Sequence, residues 1–459
     1  MRSPLGSVSG LRTATLMAAA SLLLIVVVSP AAAAVFKVND LQDGIDAAPG
    51  DGFCKTAAGR CTLRAAIAEA NAYADVAGPD LVYLPAGTHT VTIAGANEDA
   101  GATGDLDITD SLSLIGSGSD KTTVSGGGDA VGDRVLDIHG LVNVRLEGMT
   151  IRNGRSGAAN GGGILSNGSL TISRCRIVGN RTDQANSHSG GGVFSAAGGL
   201  AIVDSEILDN AAYLGGGLYV QADAAVIENT VIEGNRASHR GGGVYVSSTG
   251  LDVRNSLVSA NAAADNGGGI FQSLSAAAYI NSTISGNLAG ASGGGLYVQL
   301  GGPVQTANIT ITDNAADSDR NGSGDGGGVA ILTPGWIYMK NAVLAGNDDP
   351  GKQAPDCSGA IWSQRHNVFG NIAGCSFKGD TDGDQTGVDA ELDILADNGG
   401  STRTHALLPG SPAIDGGNAG GCVTAEAAPI LTDQRGFGRP ADGDGDGRAD
   451  CDAGAFEAQ

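Results

Sequence analysis

The chain has 459 residues, with 49 acidic side chains against 26 basic ones, a net charge of −23, 4% aromatic content and 76 glycines. So acidic a surface repels phosphates, and a binder of nucleic-acid backbone needs clustered Lys and Arg, so nucleic acid is excluded as a partner. Pro and Ser are too few for a disordered linker, and the cysteines, seven in number and all past residue 50, suit an oxidising compartment.

Four regions follow in chain order. Residues 1–34 read as a secretory signal peptide: Arg2 and Arg12 precede the apolar run LMAAASLLLIVVV, which ends at Pro30 and a stretch of small alanines with a cleavage point near Ala34. The run is too short for a comfortable bilayer crossing, so the expectation is a protein secreted to the medium or outer cell surface with no membrane span in its mature chain.

Residues 35–75 are expected to form an N-terminal cap. The stretch CTLRAAIAEANAY, Cys61 to Tyr73, carries Leu63, Ala66, Ile67 and Ala70 on one helical face, and Cys61 is placed to tether it to Cys54. The other proximal pairs are Cys357 with Cys375 and Cys422 with Cys451, leaving Cys175 over; seven cysteines allow other connectivities.

Residues 76–350 count out a repeat. Gly triplets begin at Gly161, Gly190, Gly215, Gly241, Gly267, Gly293 and Gly326, with successive spacings of 29, 25, 26, 26, 26 and 33. Asn180, Asn210, Asn235, Asn261, Asn287, Asn314 and Asn347 close phrases such as AVIENTVIEGN, in which apolar and polar residues alternate as in a half-buried strand. Short strands at this period, without the Leu-rich pattern of other solenoids, predict an all-β fold: a single-stranded parallel β-helix in which every residue stacks on its counterpart one coil away. Its hand is expected to be right, as for parallel crossovers in general. Asn229, Asn255, Asn281, Asn308 and Asn341 then form a second column, headed by Arg174 and Asp204, that supplies bends. Ile177, Ile207, Ile232, Val258, Ile284, Ile311 and Leu344 form an interior column. Cys175 shares its column with Ser205, Thr230, Ser256, Ser282 and Ala342, small residues that make it a packing element and not a nucleophile.

Residues 351–459 are expected to complete or cap the stack. Within them DGDGDGRAD places Asp442, Asp444, Asp446 and Asp450 at the spacing of a calcium loop, although Ala453 stands where a bidentate carboxylate is wanted; a solvated acidic loop fits equally well. Calcium is the one cofactor the sequence offers. For an organic ligand the candidates are the stripe His188, Tyr213, His239 and Asp265, each just before a triplet, and the long insertion bearing Asp317, Asp319, Arg320 and Asp325. Carboxylates beside an Arg are the groups with which polysaccharides are cleaved, but insertions and polar corners are ordinary in solenoids and no residue is assigned as catalytic.

Three stretches carry a resemblance. Cys61, Leu63, Arg64 and Ala66 resemble the Cys-Ser-Leu-Arg-Glu-Ala motif of a group of exported bacterial β-helix proteins, with Thr62 in place of Ser and Ala65 in place of Glu; LPAGTHTV, GDLDITDSLSLIGSG and LEGMTIRNG are similar to the early coils of that group. The triplet and later Asn resemble the repeat of chlamydial polymorphic outer membrane proteins. LADNGGSTRTHALLPGSPAIDGGN and TDQRGFGRPADGDGDGRADCDAGAFE resemble the choice-of-anchor Q domain. These resemblances imply a right-handed β-helix at or beyond the cell surface. The expected function is non-enzymatic adhesion or contact with carbohydrate and matrix, the alternative a polysaccharide lyase or glycoside hydrolase.

Overall fold

The computed structural model describes residues 33–459 except 74–77, 97, 158, 186, 248, 249, 274, 275, 300, 301 and 420; residues 1–32, nearly all of the expected signal peptide, lie outside the described residues. The coil that starts at Gly215 shows how the sequence makes the fold. Strand Leu218–Val220 lies on face 1, Ala224–Glu228 on face 2 and Val231–Glu233 on face 3, and Arg236–Arg240 leads into the next triplet. Each strand pairs in parallel with the same strand of its neighbours: Leu218 with Val244, Ala225 with Leu251 and Ile232 with Val258. About ten such turns stack into a parallel β-solenoid. Residues that alternate inward along the three faces form one continuous core, each contributing about 1.5–3 kcal/mol on full burial of an aliphatic side chain.

The corners have distinct causes. Gly215 opens its triplet at φ 61°, and a Cβ on Gly217 would stand 2.7 Å from the carbonyl of Gly243 in the adjacent coil, so conformation and close approach both require glycine there. Between faces 2 and 3 the chain bends through the left-handed region at Arg174, Asp204, Asn229, Asn255, Asn281, Asn308 and Asn341, at φ 48–55°. Asparagine tolerates that region best among residues with side chains. After face 3 the other asparagines form a buried ladder: Asn261 Oδ1 accepts from the backbone N–H of Asn235 at 3.0 Å and from its Nδ2 at 2.9 Å, and the pattern repeats from Asn180 to Asn347. Asp356 Oδ1 ends it by accepting from Asn347.

The helix spans Leu63–Ala72, its first turn capped by the Thr62 hydroxyl, which accepts from Ala65 N–H at 3.2 Å. Its apolar face joins the solenoid core and covers the N-terminal end. The three disulfides pair Cys54 with Cys61, Cys357 with Cys375 and Cys422 with Cys451. Cys175 is buried and free, and burial pushes its thiol up to about 11, which leaves it protonated and inert.

At the other end, parallel pairing continues to Gln385–Thr386 on face 3. The chain then doubles back along the outside of that face as an antiparallel hairpin, Leu392–Ala396 with Thr404–Leu407, and an irregular tail to Gln459. Small side chains let it lie close: Ala345, Ala390, Ala413 and Ala453 pack with Val343 and Val368 as a second apolar cluster. No helix among the described residues is long and apolar enough to cross a membrane.

Candidate functional site

The residues singled out in the sequence are brought together to different degrees. Before successive triplets the N–H of Tyr213 donates to His188 O and that of Asp265 to His239 O, so the four stand on neighbouring coils as a stripe. The Tyr213 and His239 rings lie 5.0 Å apart, and Asp265 Oδ2 lies 3.3 Å from His239 Nδ1 and 2.8 Å from Arg240 Nε. Asp265 is thereby held by Arg240, and burial, reinforced by Arg240, keeps His239 below the usual histidine range. In the long insertion the carboxylates serve their own turns. Asp317 is buried and accepts from Gly322 N–H; Asp319 accepts from the backbone and side chain of Asn321. The N–H of Asp325 donates to Ser292, and Arg320 is exposed without converging on a carboxylate pair.

The calcium-like loop is also partly occupied with itself. Asp442 accepts from Gly445 and Gly447, and Asp446 from Arg448. Asp442 and Asp444 approach Asp415, which the spacing argument did not include, while Asp446 and Asp450 stay outside that group. Asp450 faces Arg448 at 3.2 Å.

The aromatic that follows five of the seven triplets builds a ladder on the outside of face 1. Phe194, Tyr219, Tyr245, Phe271 and Tyr297 stack at 4.7–5.1 Å with interplanar angles of 5–10°. The three inner rings have both faces covered by their neighbours and offer only edges, so the stacking serves cohesion between coils.

A cleft of about 850 Å³ separates face 3 from the C-terminal hairpin, lined by Asp313, Asp348, Asp389, Asp393, Lys352 and His405. It is too acidic for an anionic ligand. His405 holds the hairpin in place, its Nδ1 2.7 Å from Asp393 O and its Nε2 2.8 Å from the Ser285 hydroxyl. Burial keeps its ring neutral, so it is a strut.

A different chemistry stands on face 2 of the last coils. Strand Ile337–Lys340 and its neighbour Cys357–Gln364 align Tyr338 with Trp362, and the following strand aligns Trp362 with Lys378. The Tyr338 and Trp362 rings are 6.0 Å apart and tilted rather than stacked, and both tryptophans of the sequence, Trp336 and Trp362, are exposed by 36% and 40%. Lys340, on the same outward side as Tyr338, and Arg365 complete a groove of about 430 Å³. Arg365 is engaged by Asp380 at 2.6 Å, so the lysines carry the free positive charge of the patch. Burial and then the neighbouring Arg365 hold the Lys340 ammonium below its usual range. The repeat period gave no sign of this patch; the signal that marks it is outward alternation in WIYMK and AIWSQ.

No curated protein sequence matches the chain. Among solved structures, a crystal structure of the pectate lyase Pel9A is similar over 94% of this chain and 97% of its own, with a TM-score of 0.52 and 14% identity, a likeness of fold alone. The family described as right-handed β-helix region matches residues 110–288 and, overlapping them, 191–377. With more than half of its length so matched, and with every coil of the stack paired in parallel, the chain belongs to the right-handed β-helix family.

Proposed function

We propose that the protein works outside the cell by holding an acidic polysaccharide on the face 2 patch of its last coils. The observation that carries this is the coincidence, on a chain of net charge −23, of exposed Trp362 and half-buried Tyr338 with two of its six lysines, Lys340 in the groove and Lys378 in register beside Trp362. Aromatic faces receive the C–H side of a sugar ring while ammonium groups attract its carboxylates, and elsewhere the acidic surface repels such a polymer. The likeness to a pectate lyase, the three disulfides, the signal-like N-terminus and the resemblance to exported and anchor-bearing proteins support the extracellular setting. Contact of this kind serves adhesion or matrix binding. Affinity electrophoresis in gels containing polygalacturonate tests it: the protein is retarded, Trp362→Ala combined with Lys378→Ala weakens retardation about tenfold, the order expected for losing a stacked ring and a charge, and a neutral glucan retards neither. Equal retardation by both polymers, or none by polygalacturonate, rejects the reading.

One observation favours a second reading, cleavage by β-elimination. A lysine held below its usual range is a serviceable base, and Lys340 lines the aromatic groove, where it would take the proton next to a uronate carboxyl; the electron pair forms the ring C=C bond as the glycosidic C–O bond breaks, and solvent water protonates the departing oxygen. Ultraviolet absorbance of the unsaturated product separates the two readings. In a lyase, Lys340→Ala abolishes product while retardation by polygalacturonate, still served by Trp362 and Lys378, is weakened but not lost; a binding protein gives no product at all.

A further inference from the structure

The first two coils bury a group of carboxylates that their surroundings leave undercompensated. Asp107 and Asp137 are partners across the parallel pair Leu106–Ile108 and Leu136–Ile138, on the outward side of face 1, yet both are buried because residues 98–105 fold over them. That cover is shaped by Glu98, which accepts from Ala100, Ala102 and Thr103, and is fastened to the cap by Arg64, which donates to the carbonyls of Gly101, Gly104 and Asp105. It brings Asp105 into the group, with ligand oxygens of Asp105, Asp107 and Asp137 all within 4.8 Å of one another. Asp133 is buried beside them.

Against these four carboxylates stand the side chains of Arg134 and His139 and two backbone donors, Gly101 N–H to Asp107 Oδ2 at 2.7 Å and Arg134 N–H to Asp133 Oδ1 at 2.9 Å. Arg134 Nη1 pairs with Asp137 Oδ2 and lies 3.5 Å from Asp105 Oδ2; His139 Nε2 lies 2.7 Å from Asp107 Oδ1. The second oxygen of Asp137, on a residue 4% exposed, is buried with no hydrogen-bond donor, and His139 Nε2 lies 3.7 Å from it. A buried carboxylate oxygen left without a donor is costly unless something positive meets it. Asp99 is exposed and, with Asp107 and His139, forms a second ligand set on the solvent side, which gives an ion a way in.

The structure assigns to Asp105, Asp107 and Asp137 a binding site for a hard divalent cation of the calcium class, which would fasten the 98–105 cover to the first two coils. Carboxylate oxygens in a group of this size suit calcium ahead of softer metals. The site is separate from the face 2 patch and from the acidic loop around Asp442.

The test uses the whole protein stripped with EDTA and titrated calorimetrically with calcium, alongside thermal melts and hydrogen exchange. One site is expected, with calcium raising the melting temperature and slowing exchange across residues 98–107. Asp137→Asn should weaken binding at least about tenfold, whereas Asp444→Asn should leave it unchanged. Loss of the heat in Asp444→Asn with retention in Asp137→Asn would transfer the site to the C-terminal loop and overturn the assignment, as would a wild-type protein showing neither heat nor a shifted melt with calcium or manganese. If Asp137→Asn fails to fold, wild-type exchange decides: protection at 98–107 supports the site, and protection elsewhere alone rejects it.

Discussion

Arg64 is 2% exposed and spends every donor it has: Nε and Nη2 grip the two oxygens of Asp43 at 2.7 and 3.2 Å, and the rest of the guanidinium meets three carbonyls of the 98–105 cover. Burial pushes Asp43 up, but Arg64 and the N–H groups of Thr92 and Ile93 outweigh it and hold the carboxyl below its usual range. The pair therefore remains charged in the dark, where its worth lies in not being broken. Replacing the guanidinium by an apolar chain of similar bulk, Arg64→Met, leaves Asp43 buried and unpaired and should cost about 3–5 kcal/mol, read as a lowered denaturant midpoint by circular dichroism. The motif around Cys61 drew attention to Arg64 through resemblance. Its partner was invisible, because Asp43 lies 21 residues away in a segment with no periodicity to align it.

Each coil carries two asparagines with opposite duties, and substitution should tell them apart. Asn261 is a rung: its oxygen satisfies Asn235 twice and its Nδ2 reaches Ile232 O and Asn287 Oδ1, both at 2.9 Å. Asn261→Ala strands buried donors and acceptors at about 1–3 kcal/mol for each unsatisfied group. Asn255 is a bend at φ 50°, where glycine is at ease, so Asn255→Gly should change stability by less than about 1 kcal/mol while Asn255→Val, β-branched in the left-handed region, should cost more. Thermal melts of the three variants check the order. These columns were legible in the sequence because stacking turns a repeat of 26 residues into vertical neighbours; Ile232 really does sit beside Val258, and the Gly triplets really are corners. The face 2 patch was not legible for the complementary reason. It occupies coils beyond the last triplet, where the register joining Tyr338 to Trp362 has left the 26-residue rhythm, so nothing aligned the two rings in advance. The His188 to Asp265 stripe lay between these cases: its stacking followed from the period, but the engagement of Asp265 by Arg240 did not.

A solenoid is held together coil by coil, and a tail that crosses several coils changes that arithmetic by tying distant rungs to one another. The returning C-terminal segment does so along face 3. Arg403 meets Glu233 at 2.6 Å, Gln434 meets Thr283, Arg439 donates to Asn281 Oδ1 at 3.0 Å, and Ala455 N–H donates to Thr310. Contacts across 120–170 residues leave no trace in a periodic pattern, which is why the sequence offered only an end region here. Arg439 and Glu457, fully buried and paired at 2.9 Å, anchor the tail, and Asp452 lies beside them. Burial, and after it the charge of Glu457, push Asp452 up to about 7, well above the carboxylate of an unfolded chain. A carboxyl whose folded value is raised binds its proton more tightly when folded, so the stabilisation is fully present below about pH 4 and is lost as pH rises through about 7. The tail should accordingly loosen between about pH 4 and pH 7, bringing forward both its release from face 3 and the melting of the coils it bridges. Asp452→Asn, which cannot ionise but keeps an oxygen to accept from Asp415 or Ala458 N–H, should flatten that decline. Melting temperatures of both proteins across this range decide it: parallel profiles would remove Asp452 from the account, while a decline confined to the wild type would identify its ionisation as what unfastens the clasp.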